Sequence, residues 1–151
     1  MPSSSIKGKN VVIVGGTAGI GLAAAQSAVA SGARVWVAGR SAAHIEKAKE
    51  VAQGHFEVRQ ADTHDADALR ALFEEVGTID HLISAAVGGE RTLKPFLEQT
   101  EDQFKAAYDK LWGYAKVVRT GAPYLAADGA VTLVSGSPAR KIRPAQSPLS
   151  C

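Results

Sequence analysis

Asn10-Val11-Val12-Ile13-Val14-Gly15-Gly16-Thr17-Ala18-Gly19-Ile20-Gly21 joins a β-branched run to a glycine-rich turn. An unbroken apolar run that ends in glycines suits a central parallel strand covered on both faces. Ile20 to Ser31 is alanine-rich and closes on Gly32, the pattern of a helix with glycine just past its C-terminus. Between strand and helix each glycine has a physical task. Gly15 lets the chain leave the strand in a tight turn. Gly19 lets a phosphate approach the backbone with no Cβ in the way, and Gly21 lets the helix pack closely. The helix N-terminus then offers free N–H groups to an anion.

Working outward, short β-branched runs alternate with longer helical stretches, the mark of βαβ units and a parallel sheet. Strands are expected at Arg34 to Ala38, His55 to Val58, His81 to Ser84 and Ala130 to Val134, the last entered through Asp128-Gly129. Helices are expected from Ala42 to Ala52 behind the N-cap Ser41, and from Ala66 to Val76. Thr100 and Gln103 form a capping box for one long helix ending near Leu125, its last turns loosened by Gly121 and Pro123. The residues from 88 to 99 and the tail from 136 to 151 read as loop. The expected fold is α/β, a Rossmann-type doubly wound sheet. Its five parallel strands run in order 3-2-1-4-5 with helices on both faces, one domain over residues 1–151. A ligand then lies across the carboxyl ends of strands 1 and 4.

Composition narrows the function. A net charge of +2 is too small for a nucleic-acid surface. The single cysteine, Cys151, forms no internal disulfide and points to a reducing, cytoplasmic setting. No apolar run is long enough to cross a membrane. His44, His55, His64 and His81 show no metal-ligand clustering, so no metal is expected.

The glycine spacing is G-x-x-x-G-x-G, and no Lys-Ser/Thr pair follows it, which excludes a Walker A loop. It resembles the T-G-x-x-x-G-I-G loop of the short-chain dehydrogenase/reductase family. Gly15, Gly19, Ile20 and Gly21 match, and Val14 stands where that family has threonine. The resemblance extends over almost the whole chain and implies a nicotinamide cofactor, its pyrophosphate on Gly15, Gly16, Thr17, Gly19, Ile20 and Gly21. At the end of strand 2 an acidic residue would grip both ribose hydroxyls; Gly39 stands there instead, followed by Arg40 and Ser41. Arg40 pairs bidentately with a phosphate and Ser41 donates a hydrogen bond, which favours NADP(H) over NAD(H). The resemblance gives Asp62, next to Thr63, a contact with the adenine amino group, although a turn-forming aspartate is an alternative reading. Ser84-Ala85-Ala86-Val87 replaces the family's N-N-A-G, and Ala85 and Ala86 keep the backbone small beneath the ribose.

Catalysis in the family implies a tyrosine and a lysine spaced Y-x-x-x-K, a serine and an asparagine. Ser135 and Ser137 flank the serine's place at the end of strand 5, and ordinary turn chemistry explains them equally. Lys110 occupies the asparagine's place, where a solvated helical lysine is the plainer reading. Tyr108, Tyr114 and Tyr124 are followed four residues on by Trp112, Val118 and Asp128, so no Y-x-x-x-K occurs. Relative to the family the chain reads as truncated at its C-terminus.

Three functions are open to these residues: an NADP(H)-dependent oxidoreductase acting on a small carbonyl or secondary alcohol, a dinucleotide-binding module or inactive fragment, and a methyltransferase-like domain. The glycine spacing and Arg40 argue against the third. Strand 5 as an open edge, and a long helix with Leu111, Val117 and Val118 uncovered, lead to an expectation of self-association.

Overall fold

The computed structural model describes residues 6–87 and 94–135. Five parallel strands form one sheet in the order β3-β2-β1-β4-β5, as the alternation of patterns requires. β1 is Asn10–Val14, β2 Arg34–Gly39, β3 Glu57–Gln60, β4 Ile79–Ser84 and β5 Leu125–Leu133. The helices are α1 Gly19–Ala30, α2 Ala42–Ala52, α3 Ala66–Val76, α4 Glu101–Ala106 and α5 Asp109–Gly121.

The side-chain alternation of β1 divides the core into two layers. Val11 and Ile13 face one way and pack with Ala25 and Ala28 of α1 and Ile45 and Ala48 of α2. Val12 and Val14 face the other way, against Leu69, Leu72 and Phe73 of α3, Leu82 of β4 and Val117 of α5. All four β1 side chains are at most 2% exposed, which explains why this strand is apolar without interruption. At the amino ends of the strands, Asp80 ties β4 to β1. It accepts from Lys9 Nζ and from the Asn10 backbone N–H, both at 2.8 Å. The Lys9 hydrogen bond, then the Asn10 N–H, hold its carboxyl below the ordinary carboxylate range, and the hydrogen bond to Asp80, then the charge of Asp128, hold Lys9 above its own.

Local signals place the caps. Ser41 Oγ accepts from the His44 N–H, Asp65 caps α3 through the Asp67 and Ala68 N–H groups, and Thr100 and Gln103 form a complete capping box. The single long helix is corrected to two. α4 ends at Ala106 and α5 starts at Asp109, with the Tyr108 N–H drawn back to the Lys105 carbonyl in a tighter turn. No residue of α4 is buried, whereas α5 sinks Gly113, Val117 and Gly121 into the protein. Packing therefore aims α5 and leaves α4 to follow its own axis. Val117, expected on an uncovered face, is fully buried, while Leu111 is 60% exposed.

β5 also differs from expectation. It begins at Leu125, and its register with β4 shifts between Ile79 and His81. Asp128-Gly129 therefore lies inside the strand at an irregularity rather than ahead of it. The tail from 136 to 151 and Ser137 lie outside the described residues.

Candidate functional site

At the carboxyl ends of β1, β2 and β4 a cleft of about 430 Å³ opens. This is the size range of small-molecule sites and the place where a doubly wound sheet binds ligands. Its floor is the glycine loop. The N–H groups of Gly15 and Gly16 donate to the Ala38 carbonyl at 2.7 and 3.0 Å, and the Ala85 N–H donates to the Val14 carbonyl at 2.8 Å. The loop is thereby clamped between the ends of β2 and β4. Gly15 has φ +84°, and a Cβ there would overlap the Ala86 backbone nitrogen. A side chain at 15 is excluded twice over, by conformation and by space. Gly21 also serves close packing, but its missing Cβ leaves room for the Gly15 carbonyl and the Gly16 Cα. The helix is tight against the loop itself.

Gly19 is different in kind. Its φ is +53°, and a Cβ there would meet nothing within 4 Å. Open space faces it because it lines the cleft. Ala18, the N-cap of α1, supplies no side-chain acceptor, and the first turn holds no acidic residue. The first N–H groups of a twelve-residue helix are thus left for an anion. These observations fit a dinucleotide's pyrophosphate.

One wall is Gly39, Arg40, Ser41 and His44. Thr17, 6% exposed, stands over Gly39, and a Cβ at position 39 would overlap its Oγ1 and lie 2.9 Å from its Cγ2. No acidic side chain fits at the end of β2 while Thr17 holds that position. Arg40, exposed, forms the rim.

Ala61, Asp62 and Thr63 adjoin this wall, the Ala61 N–H donating to the Gly39 carbonyl at 3.1 Å. Asp62 Oδ1 accepts from the His64 N–H at 2.9 Å, so this carboxylate shapes its turn and lines the cleft at once. The same turn is fastened to α5. Lys116 Nζ donates to the His64 carbonyl at 2.9 Å, His64 Nε2 lies 2.9 Å from Asp109 Oδ1, and a Cβ on Gly113 would come within 2.9 Å of Thr63 Oγ1. Ala85, Ala86 and Val87 complete the lining.

All the residues expected from the sequence to touch a cofactor, apart from the buried Gly16 and Gly21 that shape the loop, line this one cleft. His44, Ala61 and Val87 were not anticipated. His44 had a signal in its place one turn beyond the cap Ser41; Ala61 and Val87 had none. Ser135, by contrast, is exposed beyond the end of β5 and is not in the lining. Lys110 is half-buried, its ammonium 5.3 Å from the centre of the Tyr114 ring, in a small gap beside Ala86 and Val87. The Tyr114 hydroxyl donates to the Val134 carbonyl. Among the described residues no group of His, Cys, Asp and Glu is arranged to hold a metal, and no helix is long and apolar enough to cross a membrane.

The family model described as short chain dehydrogenase matches residues 9–149. The 3-dehydrosphinganine reductase TSC10A of Arabidopsis thaliana is 35% identical over 127 residues, covering 81% of this chain and 38% of that protein. The 11-beta-hydroxysteroid dehydrogenase A of Sesamum indicum is 30% identical over 147 residues, covering 89% of this chain and 41% of that protein. The chain therefore spans roughly two fifths of the length of these curated relatives. Among solved structures, an NADPH-bound short chain oxidoreductase of Pseudomonas aeruginosa PAO1 containing an atypical catalytic center superposes with a TM-score of 0.84 at 25% identity. The match covers 94% of this chain and 59% of that one. The match over residues 9–149, the strand order and a glycine loop set against the ends of β2 and β4 agree: the chain belongs to the short-chain dehydrogenase/reductase family.

Proposed function

We propose that this cleft binds NADP(H) in preference to NAD(H), and that the protein serves NADP(H)-dependent reduction of a carbonyl or oxidation of a secondary alcohol. Members of the family bind nicotinamide dinucleotides, and bound here the nicotinamide would supply or accept the hydride. The observation that carries the cofactor preference is the wall formed by Gly39 and Arg40. Thr17 closes position 39 to a carboxylate, and the neighbouring rim bears a guanidinium. In this reading the Gly15-to-Gly21 loop and Thr17 cradle the pyrophosphate, and Arg40 and Ser41 take the 2′-phosphate. Asp62 and Thr63 face the adenine, and Ala85 and Ala86 pass beneath a ribose. The NADPH-bound state of the Pseudomonas relative supports it.

Fluorescence titration of the chain with NADPH and NADH tests the preference. NADPH should bind at least tenfold more tightly, and Arg40→Gln should remove most of that advantage; equal affinities would overturn it. Adding aldehydes and ketones to the NADPH complex then tests turnover. Binding without turnover is the second reading, and NADPH oxidation that requires the carbonyl would exclude it. Self-association along β5, where Val131 and Leu133 are 38% and 45% exposed, and a cytoplasmic setting belong to the same proposal.

A further inference from the structure

One face of α5 is given over to the turn that follows β3. Asp109, Gly113 and Lys116 are spaced four and then three residues apart, so they share that face. Asp109 Oδ1 lies 2.9 Å from His64 Nε2, and Lys116 Nζ donates to the His64 carbonyl at 2.9 Å. Gly113 is buried, and a Cβ on it would stand 2.9 Å from Thr63 Oγ1, so the glycine lets the helix come this close. Within the turn, the His64 N–H donates to Asp62 Oδ1 at 2.9 Å and the Asp65 N–H to the Asp62 carbonyl at 3.0 Å. His64 is therefore held on both sides of its Cα. Its N–H carries the Asp62 carboxylate, and its carbonyl is gripped by α5.

We infer that Lys116 is a positioning residue for base recognition: by fixing the His64 backbone it holds the Asp62 carboxylate where it accepts from the exocyclic amino group of adenine. This rests on the reading of Asp62 as an adenine contact and goes beyond it, since Asp109, Gly113 and Lys116 all lie outside the cleft lining. A carboxylate has two oxygens, and with Oδ1 committed to the His64 N–H the other meets the ligand. Connecting segments are the more mobile parts of a fold. A turn already tied to a packed helix loses little freedom when the base arrives, whereas an untied one must be ordered at that moment. Lys116 thus acts on the base through His64 and Asp62, without touching it.

Fluorescence titration of the full chain with NADPH and with its reduced hypoxanthine analogue tests this. The analogue differs from NADPH at the base alone, with a carbonyl in place of the amino group that Asp62 would accept from. The ratio of the two affinities within one variant cancels any general loss of folding or of phosphate binding, which is all that a purely structural role would produce. In the parent the ratio should favour NADPH at least about tenfold, the worth of a hydrogen bond to a charged group. Asp62→Ala should bring it near one. Lys116→Met keeps the aliphatic stem and loses the donor, and should lower the ratio by about three- to tenfold. Lys116→Arg restores a donor and should recover it, with thermal unfolding confirming that each variant is folded. A ratio that Lys116→Met leaves unchanged, or that Lys116→Arg fails to recover, overturns the role of Lys116 and leaves Asp62 as the base contact. A ratio near one in the parent, or one that survives in Asp62→Ala, overturns the adenine contact and the positioning role together. Failure of the chain to bind either dinucleotide overturns the proposed function itself.

Discussion

Gly19→Ala separates anion binding from folding in a single substitution. At φ +53° an alanine must adopt the left-handed region, at a cost of about 1–2 kcal/mol. Nothing lies within 4 Å of the added methyl, so no steric penalty is added to that cost. For a chain of this length each kcal/mol corresponds to about 2–4 °C in Tm, so the variant should melt roughly 2–8 °C lower and remain folded. On the proposed reading, however, the methyl would project where the uncapped N–H groups of α1 hold the pyrophosphate. Losing one charge-assisted hydrogen bond there costs about 1.5–3 kcal/mol. NADPH affinity should then fall by a factor of roughly ten to a hundred or more. Gly54→Ala is the matched control. Its φ is +81°, a Cβ there meets nothing within 4 Å, and it sits past the end of α2 away from the cleft. Fluorescence titration with NADPH and thermal unfolding of both variants make the comparison. Gly19→Ala binding within twofold of the parent, or Gly54→Ala losing as much affinity, would refute the assignment of this loop to the pyrophosphate.

Gly39→Asp should destabilise the protein and bind neither cofactor well, because its Cβ overlaps Thr17; adding Thr17→Ala should recover stability. Additive losses in that double-mutant cycle, measured by chemical denaturation, would show that Thr17 does not close position 39. Asp80→Ala should cost about 1–3 kcal/mol at pH 7 through loss of hydrogen bonds to the Asn10 N–H and Lys9. Because the native carboxyl is held below its ordinary value of 3.8, that stabilisation is complete above the unfolded value and disappears as pH falls through the native one. The gap between parent and variant should therefore be constant from pH 5 to 9 and narrow below pH 4; a gap that narrows on the alkaline side of neutrality contradicts the ion-pair account. Ser84 is fully buried and its hydroxyl has no hydrogen-bond partner among the described residues. Ser84→Ala should accordingly leave stability unchanged or raise it by up to about 1–2 kcal/mol, and a loss above 1 kcal/mol in urea unfolding would reveal a missed partner.

The architecture was legible because its signals are local. An apolar strand, a glycine turn and an alanine-rich helix follow one another from Asn10 to Ala30, and the caps at Ser41 and Thr100 lie within four residues of the N–H groups they satisfy. The division of the long helix was not legible. No proline or glycine marks Ala107-Tyr108, and the break comes from α5 being drawn onto the turn at Thr63 and His64. The β5 irregularity at Asp128-Gly129 and the burial of Val117 likewise depend on β4 and α3, which are distant in the chain.

For the site, the loop, its Gly15/Gly19/Gly21 spacing and the presence of Arg40 at a strand end are legible in the residues alone, since each follows from backbone sterics and charge within one βαβ unit. Three facts emerge once the chain is folded: Thr17 closes in on Gly39, His44 lines the cleft with Arg40, and Ser135 stays out of the lining. Those facts arise where β1, β2 and β4 end side by side, and the approach of Thr17 to Gly39 is set by how neighbouring strands pair. Pairing of that kind is a long-range contact, and no local pattern records it.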